Sequence, residues 1–563
     1  MNYWRPVLII SLAVWISGGC RQEQSVPPQP KPLHTTQVPD LHSDVTTHAK
    51  FEDVANQLGI DFTARNGEEQ KNYSILETLG VGVAWIDFDQ DGQLDLFVPG
   101  GGSFSSEPRV IGLPGELFWQ RAGRFVRAGT QAGLADESLY SHAAIVGDYD
   151  NDGFRDLLIT GYGGVRLFHN CGDGTFLEIS NQSGLDCHAW STGAAWGDLN
   201  GDGNLDLYVV NYLDWSFANH PRCMRGERSI CAPIQFAGLP DQLFLSQGDG
   251  SFLEMQLPET LDGKGLAVVA ADVDLDGDLD LYVANDTTQN FLLQNNGQAG
   301  LHDIGIESGT ALGDSGAADG SMGVDVGDFN LDGLPDLWVA NFEGQSFGLY
   351  ENLGNCIFQH ASDARGISAV GGVYVGFGTA FFDFDCDGDE DLFTANGHVT
   401  PSAINSPFQQ VPLLFENIAG KRFVKVHAPA NSYLASPHMG RGVAMGDVDG
   451  DGDLDIAIAH TNQPLALLRN DSCNSPNWLA IQLVGRASNR DATGSRVIVS
   501  SNEGKQSRYL KGGSSYLSSH DHRVYFGFPK ALEQATVEIY WASGQVQNIE
   551  SASLNRQILV VEP

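Results

Sequence analysis

One short frame recurs seven times along this chain and limits its fold more than any other feature: Asp-x-Asp/Asn-x-Asp-Gly-x-x-Asp. The first copies stand at Asp87-Asp89-Asp91-Gly92-Asp95, Asp148-Asp150-Asp152-Gly153-Asp156 and Asp198-Asn200-Asp202-Gly203-Asp206. Asp272-Asp274-Asp276-Gly277-Asp280 and Asp328-Asn330-Asp332-Gly333-Asp336 follow. The last two are Asp383-Asp385-Asp387-Gly388-Asp391 and Asp447-Asp449-Asp451-Gly452-Asp455. Every departure at the ligand positions exchanges Asp for Asn, which keeps an oxygen. Carboxylates this dense repel one another unless a cation lies between them. Several carboxylates around a tight glycine turn suit calcium, a hard cation that takes six to eight oxygen ligands. In the copy from residue 272, Asp272, Asp274 and Asp276 would offer side-chain oxygens, Asp278 a backbone carbonyl and Asp280 a closing bidentate carboxylate. A single copy could be a solvated acidic turn; seven copies with one discipline imply about seven Ca2+ sites. An EF-hand would carry glutamate at loop position twelve. Those positions hold Val98, Ile159, Val209, Val283, Val339, Thr394 and Ile458, so each loop runs into a hydrophobic strand.

The loops begin 50 to 74 residues apart, a period that marks a repeat architecture whose units bury their faces on their neighbours. A small, glycine-bearing strand precedes each loop, as in "GVGVAWI", and an alternating strand such as "LDLYVVN" follows it. A third strand ("RLFHN", "GLYEN") and often a fourth complete the unit. Four strands with small residues on the first describe a propeller blade. The fourth-strand signature, "FLEISNQSGL" at 176, has no copy after the last loop but does have one before the first, "FEDVANQLGI" at 51–60. The permuted order predicts that the amino-terminal strand closes the seventh blade. The expected fold is all-β: a seven-bladed calcium-binding β-propeller over 51–473, then a small β domain over 474–563.

These loops and strands resemble FG-GAP/VCBS repeats, the calcium-bearing blades also found in integrin α-chain propellers. The carboxyl-terminal segments "NWLAIQLVG", "GSRVIVSS", "YLKGGSSYLSSHD" and "VEIYWASGQVQNIE" resemble the ASPIC/UnbV domain. The pairing is similar to that of cartilage acidic protein-like and bacterial envelope proteins. The resemblance implies an architecture and leaves activity open.

Of 71 acidic residues, 26 are aspartates of the seven frames, so much of the net charge of −40 is ligand chemistry. A chain this acidic is poorly suited to nucleic acid, where binding depends on neutralising phosphates. Residues 1–20, "MNYWRPVLIISLAVWISGGC", read as an export signal. Cys20 after Gly18-Gly19 reads as a lipoprotein cleavage and lipidation site, although Ser17 stands where leucine is usual. Residues 21–50 read as a disordered spacer from the bilayer. The chain is therefore expected to be exported and lipid-anchored in the bacterial cell envelope, at the outer membrane or cell surface. Cys223 and Cys231 flank "MRGERSI" as a disulfide pair of the kind exported proteins carry. Cys171 with Cys187 is a weaker pair, and Cys356, Cys386 and Cys473 leave at least one thiol over.

No catalytic constellation is legible. His398, His438, His520 and His522 have no nucleophile beside them in a recognisable frame. Asn211, Asn285, Asn341 and Asn396 end the second strands on the face opposite the loops, and His398 follows nearby. The longest insertions, 211–241 and 396–412, start there too. These residues either cap turns or form a polar ring at the propeller mouth, where loops on a rigid scaffold bind partners. The expected function is calcium-stabilised binding or adhesion, to an extracellular protein or glycan. The alternative is a carbohydrate-active enzyme, a lyase or hydrolase, on the same scaffold.

Overall fold

The computed structural model describes residues 49–563 apart from 108, 136, 258–260, 368–371, 402, 404–405, 474–476, 503, 531 and 533. The export signal, Cys20 and nearly all of the spacer lie outside the described residues, as does the expected domain boundary at 474.

Seven four-stranded antiparallel sheets carry the seven frames. Blade 2 is typical. Its inner strand Tyr140–Gly147 leads through the aspartate loop to Asp156–Tyr162, then Gly164–Asn170 and the outer Phe176–Glu178. The inner strands of the others are Ala84–Ile86, Ser191–Gly197, Gly265–Ala271, Ser321–Gly327, Gly376–Phe382 and Gly440–Gly446. All are buried along their length, because each lies between two neighbouring blades and the axis.

Blades pack face to face through side chains that alternate off their strands. Phe97 and Leu117 of blade 1 meet Ala144, Leu157 and Phe168 of blade 2. Phe393 and Leu414 of blade 6 meet Ile456 and Leu468 of blade 7. Ala457 and Leu467 of blade 7 meet Leu96 and Phe118 of blade 1, which closes the ring. The outer strand of blade 7 comes from the amino-terminal side: Phe51–Asp53 pairs antiparallel with Ala466–Asn470, Phe51 opposite Asn470. This is the closure the permuted order predicts.

After the last blade come two further sheets. Asn477–Val484 pairs antiparallel with Val524–Phe528 and parallel with Arg556–Val561. A four-stranded sheet is built from Gly504–Tyr509, Arg496–Ser501, Gln534–Tyr540 and Val546–Ser553. Leu479, Ile481, Val497, Val537 and Phe526 form the core of this region.

Its segment 511–521 enters the propeller axis. Ser519 bonds to the backbone of Val83 and Trp85 in blade 1, and Leu517 O accepts from Ala144 N–H in blade 2. Gly512 exchanges both backbone hydrogen bonds with Ala270 in blade 4, and Ser515 does so with Val324 in blade 5. Ser515 Oγ accepts from Thr379 N–H in blade 6, and His520 Nδ1 from Met445 N–H in blade 7. Against blade 3 the approach is so close that a Cβ on Gly512 would lie 1.7 Å from Trp196 O, so only glycine fits. The segment thus touches every inner strand and pairs polar backbone that would otherwise face the axis.

Among the described residues there are two disulfides. Cys223–Cys231 is the expected pair; Cys386–Cys473 ties the blade 6 loop to the end of blade 7. The Cys171–Cys187 expectation is corrected: both are free thiols, Cys171 exposed and Cys187 buried, and Cys356 is also free. Among the described residues, no helix is long and apolar enough to cross a membrane.

Candidate metal centres and the opposite mouth

Each loop folds on its own first aspartate. Asp87, Asp148, Asp198, Asp272, Asp328, Asp383 and Asp447 each accept the N–H of the frame glycine at 2.8–3.1 Å. Those glycines, Gly92 through Gly452, have φ between 84° and 101°, the left-handed region that a side chain would strain. The turn brings Asp87, Asp89 and Asp95 oxygens within 4.8 Å of one another, and likewise Asp148, Asp150 and Asp156. Asn200 and Asn330 take the second place in their loops, each accepting the N–H of Asp202 or Asp332 at 3.0 Å.

The last aspartate of the frame does more than close the loop. Asp95 accepts from Phe88 N–H at 3.3 Å and from Gln120 N–H at 2.7 Å, stapling the loop to the third strand. Asp156, Asp206, Asp280, Asp391 and Asp455 repeat both bonds. Asp336 keeps the one from Asn352 N–H at 2.7 Å. A carboxylate oxygen has two lone pairs, so a staple and a metal bond are compatible.

Burial, first, and neighbouring carboxylates, second, oppose ionisation in these loops. Burial raises Asp95 to about 8 and Asp280 to about 8, Asp206 to about 7 and Asp272 to about 6, in each case against bonds from backbone N–H groups. Asp87 Oδ1, Asp89 Oδ1, Asp148 Oδ1 and Asp336 Oδ2 are buried with no hydrogen-bond partner. Convergent oxygens, orphaned acceptors and accumulated negative charge suit a hard divalent cation. Asp91, Asp152, Asp202, Asp276, Asp332, Asp385, Asp387, Asp449 and Asp451 complete the loops at their more exposed rim.

One set of residues was missed by sequence reasoning although it repeats. The third strand ends in an amide whose side chain reaches the preceding blade's loop. Asn170 Nδ2 donates to Phe88 O at 2.8 Å, and Asn295, Asn352, Asn417 and Asn470 donate to Leu199, Val273, Phe329 and Phe384 O at 2.8–2.9 Å. Gln120 Nε2 does the same to Val448 O at 2.9 Å across the ring closure. Blade 3 has Ser246 there, too short for the clasp. The signal was the final amide of "FHN", "YEN", "FEN" and "LRN".

The mouth asparagines are corrected. Asn211, Asn285, Asn341 and Asn396 are at most 1% exposed and engaged in turns, not offered to a ligand. Asn211 accepts from Ser191 Oγ, Asn285 from Lys264 N–H and Asn341 from Ser321 Oγ, at 2.8–2.9 Å. Asn396 donates to Val411 O at 2.9 Å. His398 is equally buried; its Nδ1 accepts from Thr400 N–H and its Nε2 faces Glu343 at 3.6 Å.

What is open on this face is a cleft of about 760 Å³. Its walls are Tyr73 and Glu77, the disulfide-tipped insertion at Arg228 and Ile230, and Phe408 with Gln409. Arg228 donates to Asn72 O at 2.8 Å and lies 5.1 Å from the Tyr73 ring, which ties the insertion to the amino-terminal loop. Beneath them Arg441, 1% exposed, donates to the carbonyls of Thr78, Gly397 and Gly440 and lies 3.9 Å above the Phe377 ring. Burial lowers its pKa to about 10. Among the described residues no carboxylate forms an ion pair with it.

Fold and loops together define a class: the chain is a β-propeller of FG-GAP-like repeats followed by an ASPIC and UnbV domain. The FG-GAP-like repeat profile matches residues 87–159, 148–209 and 272–339, and the ASPIC and UnbV profile matches 485–563. Among particular proteins, it is similar to cartilage acidic protein 1 of Homo sapiens, 24% identical over 527 residues that cover 86% of this chain and 72% of that protein. The Mus musculus protein of the same name is 23% identical over 511 residues, covering 75% and 74%. A solved structure titled for recognition of non-reducing terminal N-acetylglucosamine by an Agrocybe aegerita lectin covers 70% of this chain and 95% of its own. Its sequence identity is 17% and its TM-score 0.39.

Proposed function

We propose that this protein is a calcium-stabilised binding protein of the cell envelope that engages a protein or glycan through the mouth opposite its metal loops. The observation that carries the reading is the mouth cleft, walled by the longest excursions of the chain over a scaffold whose loops on the other face are invariant in length. Variation confined to one face of a fixed repeat scaffold is how such proteins change partners. Calcium would be held by the seven aspartate frames and would neutralise carboxylates whose charge otherwise opposes the fold. Two disulfides fit an exported chain, and Cys20 would supply the lipid anchor.

The test is a glycan array and a panel of purified envelope proteins screened with the calcium-loaded chain. A ligand found there should bind at least tenfold more weakly to Tyr73→Ala and Arg228→Ala variants with unchanged calcium content. Undiminished affinity would move the site off the mouth. Cleavage or elimination of a bound glycan during the assay would instead establish the enzyme.

A further inference from the structure

The residue that precedes the clasp amide differs in chemistry from blade to blade, and in blades 4 and 2 it reaches its own blade's loop. Gln294 Nε2 donates to Asp274 Oδ2 at 2.8 Å in blade 4. Blades 5 and 6 carry Glu351 and Glu416 at this place, and blade 7 carries Arg469. Blade 2 carries His169, whose Nδ1 lies 3.3 Å from Asp156 Oδ1 and 3.4 Å from Asp150 Oδ2. Two donors about 2.1 Å from a shared ion sit about 3 Å apart, so this spacing is that of a ligand set.

Two further observations point to a missing ion. His169 Nδ1 is buried and makes no well-directed hydrogen bond, although carboxylates flank it. Asp148, 1% exposed, has its Oδ1 buried and without a partner in the same loop. Ligand atoms of Asp150, Asp152 and His169 lie within 4.8 Å of one another, as do those of Asp148, Asp150 and Asp156. Imidazole nitrogen is a donor for zinc and its neighbours in the transition series, whereas calcium takes oxygen.

We propose that the blade 2 loop, with His169 as a nitrogen ligand, is a mixed imidazole–carboxylate site that takes a divalent transition-metal ion of the zinc class in preference to calcium. The inference rests on the reading of the frames as cation sites but concerns the identity of one ion. In the other blades the same position offers an amide, a carboxylate or no donor, so none adds an imidazole; blade 4 has instead the Cys356 thiol within 4.8 Å of its Asp274 and Asp280 oxygens. His169→Gln reproduces the side chain that blade 4 uses at this place, so the variant keeps a polar group that the fold already accommodates.

The experiment dialyses the full chain against millimolar calcium with a slight excess of zinc and counts both metals by elemental analysis. The expected result is about one zinc per chain alongside calcium, with that zinc lost in His169→Gln while calcium does not fall. Cobalt in place of zinc should give a visible absorption band in the wild type that the variant lacks. Calcium without zinc in the wild type would overturn this proposal and leave the calcium reading standing. Equal zinc in wild type and variant would also overturn it, placing the ion elsewhere, for example at Cys356. Absence of both metals would overturn both readings. Zinc lost with His169 in a chain that binds no calcium would support this site and sink the calcium one.

Discussion

His142 shows how one buried side chain can hold the mouth side of three blades together. It sits on the inner strand of blade 2, fully buried, with Nδ1 2.9 Å from Gly80 O and Nε2 accepting from Trp190 Nε1 at 3.0 Å. Those two bonds require a neutral ring with its proton on Nδ1. Burial depresses its pKa to about 4, and the Gly80 bond offsets only part of that. In the unfolded chain an imidazole titrates near 6.5. Above that pH neither state takes the proton; below it the unfolded state does and the folded state does not. Stability from this residue is therefore lost as pH falls from about 6.5 toward 4, by up to about 3 kcal/mol. Urea unfolding of wild type and His142→Gln should show the wild-type advantage shrinking across that window. A pH-independent difference would contradict the assignment.

At the scale of elements, blade 7 depends on a strand that precedes the first blade in sequence. Phe51–Asp53 adds its hydrogen bonds to Ala466–Asn470, and Val54 N–H continues the pairing to Leu467 O at 2.8 Å. Val54, Ala55 and Ile60 then seal the joint with blade 1. Deleting residues 51–60 leaves an unpaired edge, a template for association. The expected outcome is a lower melting temperature with concentration-dependent oligomers by light scattering; a monomer of unchanged stability would show another closure. This arrangement was legible because the fourth-strand signature is missing after the last loop and present before the first. The aspartate frames were legible because their spacing recurs unchanged in all seven copies. The mouth asparagines were misread: "VVNY" and "VAND" reveal a turn, not whether Asn211 and Asn285 face solvent or the neighbouring strand. The Cys386–Cys473 pairing was equally hidden, since these two meet only after two blades have folded together.

For the whole molecule, the axial segment makes propeller and carboxyl-terminal region one unit. Its residues, "KGGSSYLSSHD", gave no periodic signal, because they bond to six inner strands and pack against the seventh, all far apart in sequence. Gly512→Val should destabilise by about 3 kcal/mol or more, since its Cβ would overlap Trp196 O and backbone cannot yield cheaply. Calorimetry should show a single transition moved down; a carboxyl-terminal transition that shifts alone would mean the two parts are independent. The same cooperativity bears on the metal loops. The clasp amides link the loops to the next blade in six of the seven joints, so cations bound at the loops should stabilise the entire ring by mass action. The most direct measurement is calorimetry of the chain, with elemental analysis, before and after a strong chelator. The account predicts several calcium ions per chain and a melting temperature that drops when they are removed and recovers when calcium returns. A chain that binds no calcium and melts at the same temperature with and without chelator would contradict it.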